Sequence, residues 1–320
     1  MKKMKMLIGL VLALIVLIPA IILGDGAEQQ RSPDLIGEVT RKTTQKYPNG
    51  TTKEIIYYQD GKEIAKELFD EKWNSTIEGK IPDGLVKEYS ESGKLKWEAN
   101  YKDNKKEGVS KWYYESGNLI GGEMNYKNGH LEGIYKAYSK SGKLLGERNY
   151  QDGKPEGISK AYSESGKLLS ETNYKDGHLE GIYREYSESG KLRREENYRD
   201  SKKEGTSKAY YESGKLLSET NYKDGKLEGL YREYHETGKL KAEVNYKDDK
   251  REDLAKWYDK NGKLDIEVNY RNDKKEGLEK WYYESGELSV NANYQDGKLE
   301  GIRKGYYESG KLKSEMNYKD

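Results

Sequence analysis

Gly181-Ile-Tyr-Arg-Glu-Tyr186, Ser187-Glu-Ser-Gly190, Lys191-Leu-Arg-Arg-Glu-Glu-Asn-Tyr198 and Arg199-Asp-Ser-Lys-Lys-Glu204 follow one another without a break, and Gly205 begins the same order again. Two strand-length segments alternate with two sets of turn-forming residues. Gly190 supplies a position that accepts positive φ, and a four-residue connection ending in Gly suits a type I turn with a bulge. Asp200 marks the second turn, written Asp-Gly at Asp176-Gly177 and Asp224-Gly225. A helix is excluded, because each segment is only about seven residues long, Gly interrupts it and Tyr favours strands.

The unit recurs along most of the chain. The tyrosine of an Asn-Tyr pair stands at Tyr101, Tyr126, Tyr150, Tyr174, Tyr198, Tyr222, Tyr246, Tyr270, Tyr294 and Tyr318, at intervals of 24 residues after a first interval of 25. A fixed period in this range is the mark of a repeat array whose units contact mainly their neighbours. The Ser-Gly turn returns in step from Gly93 through Gly117 and Gly142 to Gly310, with Asn-Gly in its place at Gly262 and Thr-Gly at Gly238. Ser159–Tyr186 and Ser207–Tyr234 differ at only three positions 48 residues apart, so a two-unit block was copied. The expected fold is all-β: an elongated single-layer antiparallel sheet of tandem 24-residue hairpins, preceded by an N-terminal apolar helix. About twenty strands at roughly 4.8 Å would extend on the order of 100 Å.

Alternation assigns side chains to faces. Counting on from the opening Gly, the fifth residue is Tyr in every unit (Tyr186, Tyr210, Tyr234) and the third is Lys or Arg. Leu168 and Tyr174 share a parity and are expected to join the fifth-position tyrosines in one aromatic-aliphatic face, with Glu171 and Asn173 opposite. Even positions carry Trp112, Tyr135, Tyr183, Tyr231, Trp257 and Trp281, together with Tyr114, Tyr211, Tyr283 and Tyr307. This strip is the candidate binding surface, since large exposed aromatic patches mark interaction sites. Alternation does not say which face is wet, so the strip is either exposed or half-covered by its neighbours.

Composition limits the alternatives. Hydrophobic residues make up only 33% of the chain, but its 30 tyrosines can fill a thin, half-wet core, which argues for order rather than disorder. Fifty-eight basic against 57 acidic residues leave a net charge of +1 and no electrostatic footprint for nucleic acid. The absence of cysteine excludes disulfides and thiolate metal sites. Lys2, Lys3 and Lys5 precede an uncharged run from Met6 to Gly24, which reads as a cleaved signal peptide or an uncleaved anchor over residues 1–26. Either would place the rest outside the cytoplasm, in the envelope, on the surface or secreted.

Residues 27–83 read as a linker and a degenerate repeat that caps the first strand edge, with Tyr47-Pro-Asn-Gly50 and Tyr58-Gln-Asp-Gly61 as decayed turns. Residues 84–320 hold ten tandem units. The last unit leaves an edge that a second copy or another component would cover.

The pattern Y-x-x-x-G-x-L-x-x-E-x-N-Y-x-D-G-x-x-E-G, clear in Asn173–Tyr186, resembles the variant form of the MORN repeat over residues 84–320 and weakly over 45–83. That resemblance implies successive hairpins used for binding and scaffolding, with protein assemblies or membrane phospholipid as partners. It also brings the "antitoxin" label that bacterial proteins of this type often carry. Asp253 replaces an opening Gly and Asn291 replaces a Glu, and these units are expected to pack less regularly.

No chemistry-bearing motif stands apart from the repeats. Asp-Gly-x-x-Glu-Gly lacks the dense alternating carboxylates of a calcium loop, and Asp-Gly is what a turn wants in any case. The Glu near each Asn-Tyr exists in about ten copies, which suits cross-strand pairing with Lys or Arg rather than a glycosidase acid pair. His130, His178 and His235 have no metal-ligand spacing. The expectation is a non-enzymatic chain without cofactor or metal that binds a protein or cell-surface partner. An intracellular antitoxin-like scaffold and a phospholipid binder are the alternatives.

Overall fold

The computed structural model describes residues 37–72, 74–115 and 120–319. The apolar run, the first part of the linker and Gly117 lie outside the described residues. Every regular element among the described residues is a strand, 28 in all. The chain divides into two compact units, one reaching to Glu132 with residues 140–142, the other formed by 133–139 and 143–320.

Turn chemistry sets the hairpins. Gly166 N–H donates to the Ser163 carbonyl at 2.8 Å, and Ser163 N–H donates to the Lys167 carbonyl at 2.8 Å. The second turn places Asp176 and Gly177 at φ 51° and 89°, two left-handed residues in succession, the type I′ turn whose twist matches a hairpin. Its N–H groups point away from its own hairpin and must find acceptors elsewhere. They find them one repeat back. Asp176 N–H donates to the Glu156 carboxylate (2.8 Å) and Gly177 N–H to the Pro155 carbonyl (2.9 Å). Asp224 and Gly225 repeat this with Glu204 and Lys203, both at 2.9 Å. The acid before the opening residue thus serves as the acceptor for the next turn, as Asp83 does for Asp103 and Glu252 for Asn272.

Where that turn lacks Gly, a side chain compensates. Ser201 and Asp249 hold φ 63° and 68°, which costs a non-Gly residue roughly 1–2 kcal/mol. Ser201 Oγ accepts from Leu179 N–H at 3.0 Å, and Asp249 Oδ1 from Leu227 N–H at 2.8 Å. Asp253 likewise keeps φ 63° and pairs with Tyr270 as Gly229 pairs with Tyr246. On its other side the unit is irregular as expected: the shift falls between Glu243 and Asn245, one residue earlier than between Thr172 and Tyr174, and Asn245 lies opposite Glu252, with Asn245 Nδ2 donating to the Asp253 carboxylate at 3.0 Å. Asn291 keeps the register, opposite Lys280.

In the first unit the strands are β1 (Val39–Lys46), β2 (Thr52–Gln59), β3 (Lys62–Phe69), β4 (Ser75–Gly79), β5 (Gly84–Tyr89), β6 (Leu95–Lys102), β7 (Lys105–Tyr113) and β8 (Ile120–Lys127). Pairing is antiparallel with one exception: β1 runs parallel to β5, Val39 opposite Val86. That pair adds one parallel contact to the expected antiparallel sheet, and it gives β5 a partner on both edges. Gly79 is required where β4 presses on β3, since a Cβ there would lie 2.4 Å from the Ile64 carbonyl oxygen. The core gathers Ile55, Tyr57, Ala65, Ile81, Val86, Ala99 and Tyr101. Tyr57 meets Tyr101 edge-on with centroids 5.9 Å apart, so β2 and β6 enclose it.

In the second unit the register corrects one facial assignment. Gly157 lies opposite Tyr174 and Tyr162 opposite Leu168, with a shift between Ala161 and Tyr162. The extra residue breaks strict alternation. Leu168 stays with the fifth-position tyrosine, while Tyr174 falls on the other face with the even-position strip.

One face is an ionic ladder. Arg184 pairs with Glu195 (2.8 Å) and Arg232 with Glu243 (2.9 Å), while the Tyr162 hydroxyl donates to Glu147 at 3.0 Å in the preceding repeat. It also bears an exposed aliphatic row, Ile134, Ile158, Ile182, Leu254, Leu278 and Ile302. The opposite face is the packed one. Ala242, Val244, Ala255, Val268, Tyr270 and Ala292 are buried there.

Candidate functional site

The strip residues lie on the packed face, and most are engaged. Trp112 rests on Gly122, where an added Cβ would fall 1.8 Å from its ring. Tyr135, Tyr183 and Tyr231 meet Tyr150, Tyr198 and Tyr246 edge-on, with centroids 6.5, 6.4 and 6.2 Å apart. These three are half-buried. Tyr211 and Tyr283 clasp the following repeat, each hydroxyl donating at 2.7 Å to the carbonyl of Tyr234 and Tyr306 respectively. Their rings are ties between units rather than open surface.

Trp257 and Trp281 differ. Ile266 pairs in register with Trp257 on one side and Trp281 on the other, so the two indoles flank one aliphatic residue across three strands. Two strand spacings separate them, about 10 Å. Between them lies an open depression of about 250 Å³, lined also by Val268, Tyr270, Lys275 and Glu279. Trp281 is 43% exposed; Trp257 is half-buried and meets Tyr270 edge-on at 6.5 Å. No other pair of strip residues is brought together this way among the described residues.

Glu279 is the part that sequence reasoning missed. It is 5% exposed and occupies the second position after the opening Gly, where the other units carry Val86, Ser110, Tyr135, Ser159, Tyr183, Ser207, Tyr231, Ala255 and Arg303. A position-by-position comparison of the repeats would have singled it out as the lone acid there. A buried carboxylate needs a partner, and Lys275 Nζ supplies it in a close ion pair. Burial works against the Lys275 charge, but the Glu279 contact outweighs it and holds the ammonium above its ordinary pKa. Burial, then Glu279, raises the Tyr294 phenol, and Lys275 lies 4.6 Å over that ring. Arg251 covers Tyr270 at 4.1 Å. The depression is thus aromatic at its walls, aliphatic at its floor, and neutral, since its two charges pair with each other.

A second polar cluster sits in the first unit. Arg41 stacks on Trp97 at 3.3 Å and pairs with Glu88 at 2.9 Å, and the Tyr57 hydroxyl donates to Glu67 at 2.6 Å. Burial, reinforced by the Arg41 charge, lowers Lys106 to about 8; burial pushes Tyr101 up to about 12. Arg41, Glu88, Tyr57, Glu67 and Tyr101 satisfy one another within the core, and the Lys106 ammonium lies over the Trp97 and Tyr126 rings at 5.5 and 5.0 Å. Groups of three or more His, Cys, Asp or Glu able to hold a metal are absent among the described residues.

Comparison with known proteins places the architecture. Ten consecutive stretches match the family model of the MORN repeat variant: 82–103, 106–128, 131–152, 155–176, 179–200, 203–224, 227–248, 254–272, 275–296 and 299–320. No curated protein matches the chain. Among solved structures, the TcdB2-TccC3-Cdc42 complex shares 13% identity over 83% of this chain with a TM-score of 0.17. TcdB2-TccC3 shares 12% over 83% with a TM-score of 0.18. The chain spans 16% of the length of each, and likeness at this level carries no argument.

Proposed function

The chain belongs to the MORN repeat variant family, and on that premise we propose that it is an exported, non-enzymatic repeat scaffold that binds a protein or cell-surface partner through its packed face. The observation that carries the reading is the pairing of Trp257 with the exposed Trp281 around an open depression. Elsewhere on that face Tyr135, Tyr183 and Tyr231 are spent on packing and Tyr211 and Tyr283 on ties between repeats, while Tyr307 is exposed in the last repeat. Exposed tryptophan beside a preformed concavity is the usual anatomy of a binding hot spot. Export rests on the basic and apolar N-terminal residues alone.

Capture of the partner from intact cells tests the site. Trp257→Ala and Trp281→Ala should each cut retention at least tenfold while hydrogen-exchange protection of the repeats stays unchanged. Undiminished capture by both variants would remove the depression from consideration. Protease treatment of intact against lysed cells tests export: a C-terminal tag degraded only after lysis would contradict it.

Self-association is a second reading. Tyr307, Leu312 and Met316 are all exposed in the last repeat, and a second copy pairing along Leu312–Tyr318 would cover them. Light scattering should then give twice the monomer mass, and Met316→Lys should return it to the monomer value.

A further inference from the structure

We propose that the depression between Trp257 and Trp281 binds a β-1,4-linked hexopyranose chain; this rests on the reading of that depression as the docking site. Three features point to the ligand class. The two indoles project from the same sheet face about 10 Å apart, close to the length of a disaccharide. In a β-1,4-linked chain each ring is flipped relative to the last, so every second ring offers the same C–H face. Two aromatic platforms one disaccharide apart match that repeat.

Charge narrows the choice. Lys275 and Glu279 pair with each other, and the other lining residues, Ile266, Val268 and Tyr270, are uncharged side chains. An anionic or cationic ligand gains no net attraction there. A neutral polyol does better, because hydroxyls can donate to the carboxylate and accept from the ammonium.

Glu279 also separates this ligand from a proline-rich peptide, which docks on aromatic grooves of similar spacing. A polyproline segment presents carbonyl acceptors and no N–H donors, so it adds no hydrogen bond at Glu279 beyond those from Lys275 and Tyr294. Sugar hydroxyls can donate to a remaining carboxylate lone pair, beside the bonds that Lys275 and Tyr294 already make to Glu279. The open form of the depression suits a chain lying across it rather than an enclosed small molecule.

The test titrates the full chain with cellohexaose and chitohexaose, read by tryptophan fluorescence and calorimetry, with decaproline and tetramethylammonium as competing probes. The proposal expects saturable binding of at least one oligosaccharide. Trp281→Ala and Trp257→Ala should weaken it at least tenfold and Glu279→Gln several-fold. Ile158→Ala, on the opposite face, should leave it unchanged. Binding that survives both tryptophan variants, or binding of decaproline or tetramethylammonium with neither sugar bound, overturns it. If neither oligosaccharide binds while Trp281→Ala still abolishes capture of the cellular partner, the docking site stands and the glycan assignment falls.

Discussion

Replacing Asn291 by Glu should strengthen the last repeats. One unit earlier, Glu267 accepts hydrogen bonds from Lys280 Nζ at 2.9 Å and from the Tyr282 hydroxyl at 2.8 Å. Asn291 faces Lys280 on one side and Lys304 on the other, yet its Oδ1 is buried and makes no hydrogen bond. Such an orphan costs about 1–3 kcal/mol, and a hydrogen bond to a charged group contributes about 1.5–3 kcal/mol. Carboxylate desolvation offsets part of this, and the half-exposed lysine pairs are discounted to about 0.2–1 kcal/mol. The expected net gain is about 1.4 kcal/mol, a tenfold smaller local opening constant.

The gain must depend on pH. At Glu267 burial works upward, but the Lys280 and Tyr282 hydrogen bonds and the Lys280 and Lys256 charges outweigh it and leave the carboxyl below its ordinary value. A carboxyl depressed in the folded state adds stability that is complete above its unfolded pKa of about 4.3 and lost as pH falls through the folded value. Hydrogen exchange over Gly277–Tyr306 is the suitable assay, because a repeat array need not unfold all at once. Unchanged protection near neutral pH, or a gain that thermal melts still show well below the carboxylate range, would refute the argument.

Three further outcomes follow from the packing. Gly122→Ala should push Trp112 off its seat, since the new Cβ would lie 1.8 Å from the ring; a loss of about 1–3 kcal/mol should appear in denaturant melts. Asp249→Ala removes the acceptor for Leu227 N–H from a left-handed position and should cost about 1–3 kcal/mol, whereas Asp249→Gly should be nearly neutral by the same melts. Tyr283→Phe deletes a 2.7 Å bond to the Tyr306 carbonyl and should cost about 0.5–1.5 kcal/mol, while Tyr307→Phe, at a 52% exposed ring, should leave the melt unmoved.

Much of the fold was legible because its turns are chemically explicit. Gly190 and Asp176-Gly177 mark chain reversals that few other residues perform, and the 24-residue interval carries the pattern through the array. The wet face was not legible. Ile182 and Tyr183 are both apolar neighbours on one strand, and only the folded contacts decide that Tyr183 packs on Tyr198 while Ile182 stays 43% exposed. The facial error at Tyr174 came from the bulge at Leu169, which adds a residue to that strand without any signature beyond the Ser-Gly turn. At the site, Trp257 and Trp281 were found as members of a strip, but their partnership was not, because it depends on Ile266 lying between them in register. Glu279 was hidden by its type: Glu is common throughout the chain, and only its place on the packed face makes it unusual.

The central claim is that the packed face at Trp281, not the ladder face, meets the partner. A photo-reactive benzoyl-phenylalanine placed at Trp281 in one sample and at Ile158 in another, irradiated in living cells, tests it most directly. Covalent adducts from position 281 with none from position 158 are the predicted result. Adducts from 158 alone would mean that the exposed aliphatic row is the docking surface and that the account has chosen the wrong side of the sheet.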